Sequence, residues 1–279
     1  MKEKVMKAVF FIAACTSIIA VVCICVFLFV NGTPAIREIG CRNFLLGKVW
    51  KPTSQLYGIY PMIIGSIYVT IGAVIIGVPI GIFMAVFLAR YCPKFLYGIV
   101  KPAVDLLAGI PSVIYGFFGL VVLVPFIRNT FGGDGNSILT ASILLGVMIL
   151  PSIITMSETA INAVPDNFYE GALALGATKE RSIFTVVLPA AKSGIFAGVV
   201  LGIGRAIGET MAVMMVAGNQ ARVPDSVQKG ARTLTANIVM EMGYATDLHR
   251  EALIATGVVL FVFILIINVV FILMKRRMS

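Results

Sequence analysis

The chain has 279 residues, of which 59% are hydrophobic and 13% charged, with 22 Lys and Arg against 13 Asp and Glu for a net charge of +9. A water-soluble domain carries about 25% charged residues, and a disordered chain lacks the apolar surface that is in excess here. These values exclude both and leave an all-α integral membrane protein, with a length that holds five to seven spans at about 20 residues each.

Six apolar runs follow one another. The first, 8–30, has no charge and follows Lys2, Lys4 and Lys7; it is too long for a cleaved signal core and is expected to be retained as an anchor. A polar stretch, 31–60, carries Arg37, Arg42, Lys48, Lys51 and the lone Trp50, which with Tyr57 and Tyr60 fits an interfacial aromatic belt. The second span is expected at 61–89, closed by Arg90, Lys94 and Lys101, and the third at 103–127, with Asp105 and Glu158 as boundary charges of their neighbouring spans. Pro111 and Pro125 are tolerable there if neighbours satisfy the freed carbonyls. A glycine-rich turn, 132–136, leads to a fourth span at 137–154. The segment 157–188 is too polar to cross, and a fifth span, 193–217, a polar loop, 218–250, and a sixth span, 253–274, complete the single membrane domain, 1–279.

Basic residues near span ends mark the cytoplasmic side. With both termini inside, 12 Lys and Arg lie inside and 9 outside, the latter mostly in two long loops that count less. This orientation places 157–188 in the cytoplasm of a multi-pass cell-membrane protein. The basic residues lie between apolar runs, so nucleic acid is not an expected partner, whereas membrane lipid is. The five cysteines show neither a disulfide framework nor metal-ligand spacing, and His249, the sole histidine, reads as a surface loop residue. No metal site, cofactor or catalytic residue is expected in this chain. An intramembrane enzyme is disfavoured for want of a nucleophile and base.

The fifth run carries two charges. Arg205 lies near its middle and Glu209 four residues later. A charge at the bilayer centre costs about 2.5–3.5 kcal/mol on insertion scales, so such groups face protein or a water path. Two readings stand: a self-neutralising i,i+4 pair, for which Arg before Glu is the weaker order, or a translocation site. A guanidinium presents planar donors suited to phosphate-like oxyanions, with Glu209 keeping it oriented. Gly194, Gly198 and Gly202 recur every four residues and predict a close helix contact. Gly202, Gly204 and Gly208 lack the dinucleotide-binding spacing, and Met211, Met214 and Met215 read as packing.

In the polar segment, Glu170, Ala172, Gly176, Val186, Leu188 and Pro189 are spaced as in the EAA motif of type I ABC importer permeases, departing from it at Gly171, where alanine is preferred. The run GRAIGETMAVMMVAGN, 204–219, resembles the phosphate importer permeases of the PstC type. The likeness is strong over 157–219 and rests on span pattern elsewhere. It implies that Glu170, Gly171, Ala172 and Gly176 form a coupling helix that docks on a cytoplasmic ATPase. It further implies a phosphate importer made of this chain, a second permease of the PstA type, a PstB-type ATPase dimer and a PstS-type extracytoplasmic phosphate-binding protein. The chain has no phosphate-binding loop, so ATP would be bound by the partner. The residues alone leave open an ion- or proton-coupled secondary transporter using Arg205 and Glu209 as a relay, and an ABC permease for sulfate or molybdate.

Overall fold

The computed structural model describes residues 2–278. Six helices in it are long and apolar enough to cross a membrane: Lys4–Ile39, Tyr60–Tyr91, Ser112–Phe131, Ile138–Asn162, Lys179–Gly208 and Asp247–Met274. In finer division these are α1 (Lys2–Ile39), α3 (Tyr60–Val86) with a π-helical turn (Phe87–Tyr91), α5 and α6 (Ser112–Phe118 and Val124–Phe131), α7 (Ile138–Asn162), a run of α9 (Lys179–Ser182), a second π-helical turn (Ile183–Val187) and α10 (Leu188–Gly208), and α13 (Asp247–Met278). Short elements join them: α2 (Cys41–Leu46), a two-residue hairpin pairing Trp50 with Tyr57, α4 (Lys94–Gly109), α8 (Asp166–Ala174), α11 (Met211–Val216) and α12 (Leu234–Met242).

The bundle is centred on α7, which packs against α3 on one side and α10 on another, while α1 and α13 pair alongside. Glycines set these distances, because a missing side chain lets two helix backbones approach. A Cβ on Gly77 of α3 would lie 2.8 Å from the Gly146 carbonyl of α7, and one on Gly202 of α10 would lie 2.9 Å from Ile153 Cγ1. The expected contact face of Gly194, Gly198 and Gly202 is therefore the α10–α7 seam. Helix α1, by contrast, exposes apolar side chains such as Phe10 and Phe11 along its length. An exposed apolar surface of this kind suits lipid rather than water.

Several expected boundaries shift. The third span starts at Ser112 rather than 103, because Pro111 forces Ile110 into an extended conformation and separates α4 as its own helix. The fourth continues to Asn162, taking Ser157 and Glu158 into the core at 0% and 3% exposure. The fifth starts earlier, at Lys179, and stops at Gly208 instead of running to 217. The aromatic belt is not seen either: Trp50 and Tyr57 are buried at 8% and 5% exposure. They surround His249, which belongs to the first turn of α13 and bonds the buried Glu241 at 2.9 Å. Trp50 Nε1 donates to the same carboxylate at 2.8 Å and Arg232 pairs with it at 2.6 Å. Sequence spacing had no means of showing these contacts, since Trp50 and Glu241 lie 191 residues apart.

Candidate functional site

Two features of the chain can carry function, one within the bundle and one at its end. The first is the junction of α10 and α11. Helix α10 ends at Gly208, and Glu209 leaves it with an extended backbone, φ −68° and ψ 132°. The Glu209 carboxylate then turns forward: its Oε1 accepts the Ala212 amide at 3.2 Å and so satisfies one of the free N–H groups that begin α11. The expected i,i+4 pairing with Arg205 is absent, because the two residues are no longer on one continuous helix. Glu209 does not orient Arg205 in this structure.

Arg205 is half-buried and makes no hydrogen bond or ion pair among the described residues. It stands in the last turn of α10, three residues before the helix ends at Gly208, rather than near the middle of its span as expected, and thirteen residues beyond the exposed Lys192, about 20 Å at ~1.5 Å per residue. Beside it the helix surface is bare: Cβ atoms on Gly204 and Gly208 would meet nothing within 4 Å, and Leu201 is 53% exposed. Thus one face of α10 is locked onto α7 by glycines, and the adjoining face, also glycine-rich, is open and carries a cation. The break is braced from behind, since Thr235 Oγ1 of α12 donates to the Glu209 carbonyl at 3.1 Å and Ser66 Oγ of α3 accepts the Leu234 amide at 3.0 Å. A cavity of about 660 Å³ is lined by Glu38, Arg42, Lys48 and Tyr57 rather than by Arg205, so it is separate from this site.

The second feature is the hairpin of α8 and α9. Helix α8 closes with two bonds that cap its C-terminus, the Gly176 amide to the Leu173 carbonyl at 2.8 Å and the Ala177 amide to the Ala172 carbonyl at 3.1 Å. This double cap needs a left-handed residue, and Gly176 supplies it with φ +86°. Thr178 then caps α9 by accepting the Arg181 amide at 3.3 Å. None of the residues of α8 is buried; Glu170 and Gly171 are exposed and Leu175, at the tip, is 90% exposed. A Cβ at Gly171 would touch nothing, so the alanine of the family motif would fit there. Leu175 escaped the sequence reading because one leucine in an apolar chain carries no signal of its own; a whole apolar side chain held out on a rigid turn does.

The charges at this end of the bundle are also organised. Lys101 of α4 pairs with Glu158 of α7 at 3.1 Å and with Asp105 at 3.2 Å, and Tyr97 donates to Glu158 at 2.8 Å. Burial disfavours the Lys101 ammonium, but the bonds it donates to Glu158 and Asp105 outweigh it and hold its pKa above the usual lysine value. Asp105 and Glu158 are thus members of an ion-pair cluster and not merely boundary charges. No group of three or more His, Cys, Asp or Glu able to hold a metal occurs among the described residues.

Six helices long and apolar enough to cross a membrane, with an exposed capped hairpin joining the fourth to the fifth, define a multi-pass helical membrane protein. Residues 77–279 match the family described as binding-protein-dependent transport system inner membrane component, and the chain belongs to that family. It is 40% identical over 277 residues to the Bacillus subtilis probable ABC transporter permease protein YqgH, covering 96% of this chain and 88% of that one. It is 36% identical over 260 residues to the phosphate transport system permease protein PstC of Mesorhizobium japonicum, covering 86% and 79%. Among solved structures, a bacterial alginate ABC transporter superposes with a TM-score of 0.64 at 18% identity over 96% of this chain and 94% of that chain. The MetNI methionine ABC transporter gives 0.60 at 22% over 83% and 100%. The fold is that of type I ABC importer permeases.

Proposed function

We propose that this chain is a translocation subunit of an ATP-driven inorganic phosphate importer, with Arg205 as the group that meets the anion. The observation that carries the reading is a half-buried guanidinium in an apolar helix that makes no hydrogen bond or ion pair among the described residues and stands on an open helix face. A charge so placed is costly unless something outside the chain satisfies it, and two N–H groups of a guanidinium match two oxygens of a phosphate. The break at Glu209 adds to this, since interrupted helices are a common way for transporters to build an ion site at mid-membrane. Glu209 acts by fixing the break through its cap on α11. The likeness to PstC-named proteins favours phosphate over sulfate or molybdate. The loss of direct contact between Arg205 and Glu209 removes the relay that a proton-coupled carrier would use.

In this reading the open face of α10 is completed by a second permease of the PstA type, so that the path runs between the two chains. The hairpin at Glu170, Gly171, Ala172 and Gly176 lies in the cytoplasm, as do both termini, and docks through Leu175 on a PstB-type ATPase, which binds the ATP. A PstS-type binding protein delivers phosphate from outside. The test is uptake of labelled phosphate into vesicles holding the four-component assembly. Arg205→Gln is expected to abolish uptake while the subunits still co-purify, and unlabelled sulfate in excess is expected to leave wild-type uptake unchanged. Retained uptake in the variant would defeat the role of Arg205, and competition by sulfate would defeat the choice of anion.

A further inference from the structure

The end of α3 meets the hairpin although 76 residues of sequence separate them. Arg90 is 15% exposed and lies on the π-helical turn Phe87–Tyr91. Its Nη2 donates to the Ile161 carbonyl at 3.0 Å, in the last turn of α7, where the helix dipole favours a cation. Its Nη1 reaches Asp166, the first residue of α8, at 3.5 Å. The next residue, Tyr91, holds the Lys179 ammonium, at the start of α9, 4.8 Å from its ring centroid. One turn of α3 therefore touches the first residue of each hairpin helix. Beneath these contacts Ala85 and Val86 of α3, Ile161 of α7 and Ile183 and Val187 of the α9–α10 run form one buried cluster, against which Tyr169 of α8 packs. At the far end of α3, Ser66 Oγ holds the Leu234 amide, and Thr235, the next residue of α12, holds the Glu209 carbonyl.

We infer that α3 is the rod that carries motion from the hairpin to the Arg205–Glu209 break, with Arg90 as the positioning residue at its driven end and Ser66 at its other end. The inference rests on the reading of the hairpin as the ATPase contact. Helix α8 buries no residue of its own, so Arg90–Asp166, Tyr91–Lys179 and the cluster beneath them give α3 a grip on the hairpin that does not run along the chain. The glycine seam between α3 and α7 transmits displacement because closely packed helices shift as units. Movement of the hairpin is then felt at Leu234 and Thr235, and through them at the backbone of Glu209. The exposed Asp166 contact is weak by itself. The two bonds of Arg90 act together, as a fastening of three elements.

The experiment is ATP hydrolysis and labelled-phosphate uptake measured on the same vesicles, using the full assembly. Arg90→Gln is expected to leave ATP hydrolysis near wild type and to lower phosphate moved per ATP at least about fivefold, the low end of couplings between distant sites. Arg90→Lys should recover part of the loss by keeping the charge. Ser66→Ala, at the opposite end, is expected to lower the same ratio with assembly intact, and it decides the matter should Arg90→Gln fail to assemble. An unchanged ratio in Ser66→Ala, or in an assembled Arg90→Gln, overturns the inference. Gly176→Val separates the two levels: uncoupling there with a normal ratio in Arg90→Gln and Ser66→Ala defeats the rod alone, and normal coupling in all three defeats the docking reading.

Discussion

Replacing Lys101 by methionine isolates the energetics of the ion-pair cluster that joins α4 to α7. Glu158 has only 5% of its side chain exposed and would keep only the Tyr97 hydrogen bond as compensation. Removing one member of a buried pair costs about 3–5 kcal/mol. Lys101 is itself 19% exposed, so about 3 kcal/mol is expected. Asp105 is 54% exposed, and its loss of partner adds well under 1 kcal/mol. At roughly 2–4 °C per kcal/mol for a chain of this size, the melting temperature of the detergent-solubilised protein should fall on the order of 6–12 °C. Lys101→Met with Glu158→Gln removes the stranded charge and should recover most of the loss. Because the Lys101 pKa is raised on folding, its contribution is complete below the ordinary lysine value of about 10.4 and disappears only as pH rises through the higher folded value. The gap between wild type and Lys101→Met should therefore be flat from about pH 6 to 9 and shrink in strong alkali. A single variant that melts with wild type, or a double variant as unstable as the single, would refute the buried-pair argument.

Other expectations follow from packing and capping. Gly77→Val places a branched side chain against the Gly146 carbonyl and should prevent recovery of a folded monodisperse protein by size-exclusion chromatography, whereas Gly204→Ala, with open space around it, should elute as wild type. Glu209→Gln keeps an oxygen to accept the Ala212 amide and should melt with wild type, while Glu209→Ala should lose about 1 kcal/mol in the same melt. Trp50 is the lone tryptophan and lies 6.1 Å from the ring of His249, so its fluorescence should be blue-shifted, and His249→Ala should raise its intensity. Emission at the wavelength of free tryptophan would contradict the burial of this cluster.

The spans were legible in the sequence because twenty apolar residues in a row have few other uses, and the hairpin because a glycine in a left-handed cap between two short helices imposes a local pattern. Arg205 stood out in the sequence for the same reason in reverse, as a charge in an otherwise apolar run. Its relation to Glu209 was not, since four residues of spacing say nothing about whether the helix persists between them, and here it stops at Gly208. The contacts of Arg90, Glu158 and Glu241 were also hidden. Arg90 and Glu158 reach partners dozens of positions away and Trp50 reaches Glu241 across nearly two hundred, and hydropathy counts a charge in the same way whether or not a distant partner compensates it. Sequence reasoning thus took Glu158 for a span boundary although it lies inside a helix that continues to Asn162.

The proposed coupling depends most on the hairpin being the surface that the ATPase grips. A photo-crosslinking amino acid placed at Leu175, the exposed tip, tests this directly in the assembled transporter in vesicles. The expected result is a covalent product with the ATPase subunit whose yield changes when ATP is added. A product with lipid or with the extracytoplasmic binding protein, and none with the ATPase, would contradict it.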